Sequence, residues 1–67
     1  MYTLHLDDYF DAEELNPILD RYGYIMVDRR WDAVSTSIDI EPQYDAVDID
    51  ELVTWMRDEL YVSIDIA

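Results

Sequence analysis

Val34-Ser35-Thr36-Ser37-Ile38-Asp39-Ile40-Glu41 alternates inward-facing and polar positions with a period of two, the spacing of a strand with one dry face and one wet face. Val34, Thr36, Ile38 and Ile40 are expected to point into a core, with Ser35, Ser37, Asp39 and Glu41 pointing to water. Tyr61-Val62-Ser63-Ile64-Asp65-Ile66 follows the same design and repeats the tetrapeptide Ser-Ile-Asp-Ile.

Working outward, Tyr2 to Leu6 alternates in the same way, with Tyr2, Leu4 and Leu6 on one face and Thr3 and His5 on the other. Asp11-Ala12-Glu13-Glu14 has the form of a capping box, an acidic N-cap with Glu three residues on. Leu15, Ile18, Leu19 and Tyr22 follow at helical spacing, which predicts a helical segment within 11–22 ended by Gly23 at the position where a left-handed residue closes a helix. Pro17 interrupts that pattern: it removes a hydrogen bond and crowds the preceding turn. The segment therefore either restarts with Asn16 as cap or kinks after a first turn from Asp11.

Tyr24 to Asp28 reads as a second strand with Ile25 and Val27 inward, and Arg29-Arg30-Trp31-Asp32 as the hairpin leading into the central alternating stretch. Pro42 to Val47 crosses back as a loop. Asp48-Ile49-Asp50-Glu51 forms a second capping box, and Ile49, Leu52, Val53, Met56 and Leu60 make one apolar stripe with Trp55 at its margin. The order strand, helix, strand, strand, helix, strand predicts one α+β domain over residues 1–67. Its class is the ferredoxin-like β-α-β-β-α-β sandwich, a four-stranded antiparallel sheet with two helices on one face. That fold hosts many unrelated functions and selects none of them.

Charge is the feature that bears on function. Seventeen Asp and Glu stand against four Arg and no Lys, a formal net charge of −13. About half the residues are apolar and nine are aromatic, so this is a folding composition and not an acidic disordered tail. Two carboxylates 7 Å apart in water repel by about 0.6 kcal/mol before screening, and such terms accumulate. Direct binding to nucleic acid, which relies on Lys and Arg to displace counterions, is disfavoured, as is binding to anionic membranes. The absence of cysteine removes disulfides and thiolate metal sites. Apolar runs are too short to span a bilayer, and the first residues lack the basic and long apolar regions of a signal peptide. A cytoplasmic protein is expected, in the host cytoplasm if phage-encoded.

With both helices on one face, the opposite face would carry Thr3, His5 and Asp7; Tyr24, Met26 and Asp28; Ser35, Ser37, Asp39 and Glu41; and Tyr61, Ser63 and Asp65. RNA-binding domains of this fold present aromatics there in a basic setting. Here the setting is acidic and suits a cationic partner. Alternate residues on a strand stand ~6.8 Å apart, so rows of carboxylates can stand in for a phosphate track. The expected partner-binding residues are Asp7, Asp28, Asp39, Glu41 and Asp65, with Asp48, Asp50 and Glu51 at the second helix start. Tyr24, Tyr61 and Trp31 supply aromatic contacts beside them, Trp31 and Arg29-Arg30 as anchors at a hairpin tip.

Chemistry is not what the residues suggest. His5 is the only imidazole, and Ser35, Ser37 and Ser63 lie on strands, away from the strained turn a nucleophile needs. Asp45, Asp48, Asp50 and Glu51 lack the longer ligand series and the glycine of a calcium loop. No catalytic residue, metal or cofactor is assigned. In size and charge alone, with no shared motif, the chain is similar to the small acidic inhibitors that bacteriophages direct at host defence, such as anti-CRISPR and anti-restriction proteins. That resemblance implies binding, as monomer or homodimer, to a basic surface on a nucleic-acid-handling enzyme. The alternatives are an antitoxin-like or regulatory module pairing through the edges of its sheet, and a halophile's housekeeping domain. Seven isoleucines and six tyrosines fit the halophile less well.

Overall fold

The structure, a computed structural model, describes all of residues 1–67. Strand β1 (Tyr2–Leu6) leads into α1 (Ala12–Arg21), β2 (Tyr24–Trp31), β3 (Thr36–Pro42), α2 (Ile49–Leu60) and β4 (Ile64–Ile66). The four strands form one antiparallel sheet in the order β2-β3-β1-β4. This is the ferredoxin-like arrangement, with the first and third strands central.

One side of the sheet carries the core. Leu4, Leu6, Tyr24, Ile38, Ile40 and Ile64 from the strands pack with Phe10, with Leu15, Ile18 and Leu19 of α1, and with Leu52, Val53 and Met56 of α2. The helical members recur three and four residues apart, the spacing of one helical face. Helix α1 runs unbroken through the exposed Pro17. Its start is held by Asp11, whose carboxylate accepts from the Glu14 N–H at 3.0 Å. Tyr22 caps its end and Gly23 follows at φ +86°. A Cβ on Gly23 would lie 2.7 Å from the Ala46 Cα. The loop from Gln43 docks there through Gln43 N–H to the Gly23 carbonyl (2.7 Å) and Val47 N–H to the Tyr22 carbonyl (3.1 Å).

Five sequence expectations are corrected. The inward pair on β2 is Tyr24 and Met26, not Ile25 and Val27, which are 48% and 51% exposed. Met26 pairs with Ile40 and Asp28 with Asp39, so Val27 is an extra residue and forms a bulge. Beyond the bulge the alternation is reset: Asp28 and Arg30 share the uncovered face, and Arg29 and Trp31 the helix-covered side. The hairpin is Asp32–Ser35 and not Arg29–Asp32. The Asp32 carboxylate accepts from the N–H groups of Val34 and Ser35, each at 2.9 Å, and from the Ser35 hydroxyl. This local bonding competes with strand pairing, and Val34, expected in the core, is 70% exposed in the turn. The second capping box is not made, because the Asp48 side chain caps nothing. Finally, Tyr61 is not in a strand: it ends α2 in the left-handed region at φ 53°, and β4 begins at Ile64.

Candidate functional site

The uncovered sheet face is built from rungs that the register fixes. Arg30 stands opposite Ser37, Ser37 opposite His5, and His5 opposite Asp65. The next rung places Asp28 beside Asp39 and Asp39 beside Thr3, and the one after that places Ile25 beside Glu41. Arg30 organises the middle of this face. Its guanidinium donates to Asp28 at 2.8 Å and to both carboxylate oxygens of Asp39 at 3.0 and 3.1 Å. The Thr3 hydroxyl adds a bond to Asp39 at 2.8 Å. Arg30, and then Thr3, hold the Asp39 carboxyl below its ordinary range. His5 Nδ1 and the Ser37 Oγ lie 2.9 Å apart, an exposed polar contact on the sheet.

The expected partner-binding residues therefore fall into three places. Asp28, Asp39, Glu41 and Asp65 do share the uncovered face, but Arg30 pairs with the first two and offsets half of their charge. Asp7 follows β1 at the sheet end where β2 finishes in Trp31. There Arg29 lies over the rings of Trp31 (4.2 Å to the centroid) and Tyr9 (5.4 Å) while its Nε and Nη2 donate to the Phe10 carbonyl. Glu41 is the penultimate residue of β3, at the opposite end of the sheet, where α2 starts with Asp48, Asp50 and Glu51. Tyr24 is withdrawn from the uncovered face altogether. It is 2% exposed and its hydroxyl donates to the Val47 carbonyl at 2.6 Å. Tyr61 projects from the end of α2, 93% exposed.

Comparison with protein-family models, curated proteins and solved structures finds no match.

Two features escaped sequence reading. The first is the role of Arg30, for which alternation with Asp28 two residues earlier was the available signal. The second is a cleft of about 330 Å³ between the start of β1, the end of β3 and the start of α2. Tyr2, Gln43 and Val47 line it with Asp48 and Asp50, and these residues meet only through the fold. No group of three or more His, Asp or Glu side chains converges as a metal site, and no helix is long and apolar enough to cross a membrane.

All four arginines are engaged within the fold. Arg21 pairs with Glu59, Arg30 with Asp28 and Asp39, Arg29 with the Phe10 carbonyl and Arg57 with the Ile64 carbonyl. Of the seventeen carboxylates only Glu59, Asp28 and Asp39 are ion-paired, which leaves fourteen with no cationic partner. What this surface can do chemically is attract and hold cations.

Proposed function

We propose that the chain is a small acidic inhibitor that binds the basic surface of a nucleic-acid-handling protein and occupies it in place of DNA or RNA. The observation that carries this reading is the set of fourteen unpaired carboxylates on a scaffold whose arginines are all engaged internally. Carboxylates fixed on strands and helix ends lose little freedom on binding, and they meet a basic groove with the sign it is built to receive. Ile25 and Val27, half exposed on the uncovered face, add apolar contact. The contact centres on Glu41, Asp65 and the acids at the start of α2, since Asp28 and Asp39 are partly neutralised. The cytoplasm of a phage-infected host is the setting that the likeness in size and charge implies.

The test is competition. Labelled duplex or single-stranded DNA is bound to candidate nucleases and defence enzymes, and the protein is titrated in while anisotropy is followed. Displacement of the nucleic acid is expected, together with inhibition of the enzyme. It should weaken when Glu41, Asp65, Asp48, Asp50 and Glu51 are changed to their amides. A complex that holds protein and nucleic acid simultaneously, with full enzyme activity, excludes mimicry.

A further inference from the structure

The cleft beside α2 combines three properties found together nowhere else on the surface. It is concave, with about 330 Å³ of space, the lower end of the range for small-ligand sites. Tyr2 and Tyr24 line it, their rings edge to face with centroids 6.4 Å apart, and of the two Tyr2 is the one that keeps exposed surface. Asp48 and Asp50 also line it, both exposed and neither of them ion-paired. Asp48 stands at the N-cap of α2 but its side chain makes no cap hydrogen bond, so its carboxylate is not tied to the helix. Burial, then Tyr2, then Asp48 hold the Tyr24 phenol above its usual value, which places that carboxylate close enough to be felt by the ring.

We infer that this cleft takes one guanidinium side chain, an arginine presented by the protein's basic partner. The inference rests on the basic-partner reading above and assigns that partner's anchor. A planar cation stacks on aromatic rings and can bond a carboxylate with two parallel N–H groups. This protein lodges its own Arg29 in the same manner, over two rings with two donors on one acceptor. The helix dipole opposes a cation here, since the N-terminus of α2 carries about half a positive charge. Two full negative charges from Asp48 and Asp50 outweigh it. An anion would meet those carboxylates at close range.

The test needs no partner. ¹⁵N-labelled protein is titrated with N-acetyl-arginine-methylamide, with the lysine analogue and with inorganic phosphate, and amide shifts are followed. Saturable shifts confined to Tyr2, Tyr24, Gln43 and Val47 to Asp50 are expected with the arginine compound, and binding at least about threefold weaker with lysine. The double variant Asp48→Asn, Asp50→Asn should weaken the arginine compound about tenfold, which corresponds to ~1.4 kcal/mol. Asparagine serves well as an N-cap, so α2 is retained, as circular dichroism will verify. Shifts spread over the whole acidic surface, unchanged affinity in the double variant, or preference for phosphate would each overturn the inference. Because the probe is a single amino acid, those results leave the competition with nucleic acid to be judged separately.

Discussion

Thr36 shows how much one side chain settles. It is fully buried, and its hydroxyl donates to the Asp8 carbonyl at 3.0 Å while accepting from the Phe10 N–H at 2.9 Å. It thereby ties the β1–α1 connection to the central strand. Thr36→Val keeps the shape but leaves both backbone groups unbonded, at about 1–3 kcal/mol. Thr36→Ser keeps the hydroxyl and loses only a methyl, so denaturant midpoints should fall further for valine than for serine. Asp39 makes a second case. Its carboxyl is depressed in the folded state, so its stabilisation is complete above the usual carboxylate range near pH 4 and is lost as pH falls through the lower folded value. Asp39→Asn should therefore be less stable than the parent at pH 7, with the difference closing under acid, as urea titrations at several pH values will show. Alternation in the sequence identified Thr36, Ile38 and Ile40 as inward, because β3 is regular where it is paired. It misassigned Ile25 and Val27, because Tyr24-Ile25-Met26-Val27 is apolar throughout and offers no alternation to choose a face, and the bulge at Val27 then resets the residues after it.

At the scale of elements, order and type were legible: each helix has apolar residues three and four apart, and β1, β3 and β4 have a period of two, while β2 is broken by its bulge. Ends were less legible, because they are decided by local bonds that compete with periodicity. Asp32 captures Val34 and Ser35 and shortens β3. Tyr61 closes α2 where glycine is the usual residue. With φ at 53° and its ring almost wholly exposed, Tyr61 loses little packing if replaced. Tyr61→Gly should stabilise the domain by about 0.5–1 kcal/mol, raising the thermal midpoint. Helix α1 tolerates Pro17 because Asp11 holds its first turn and Leu15, Ile18 and Leu19 bury its inner face. Packing here outweighs one missing hydrogen bond. The cleft was not legible at this scale: Tyr2, Gln43 and Asp48 lie far apart along the chain, and the Gly23 turn that seats the 43–47 loop brings its walls together.

For the whole molecule the surface is 4222 Å² and carries seventeen carboxylates, about 250 Å² each. The mean spacing is roughly 16 Å, twice the ~8 Å Debye length at physiological ionic strength. Repulsion within the fold is thus largely screened by ordinary salt. Stability should rise between 10 mM and about 200 mM NaCl and then level off, as thermal melts will record; a halophile's domain would keep gaining into the molar range. The acidity was plain in the sequence, whereas its distribution was not: carboxylates occupy both ends of the sheet, and Arg30 partly neutralises the centre of the uncovered face. The engagement of every arginine within the fold has a consequence for crowds of these molecules. With each arginine already committed to a partner in its own chain and a net charge of −13, copies meet as like-signed bodies, and dilute-salt solutions should show a positive second virial coefficient, each molecule keeping its distance until something basic arrives.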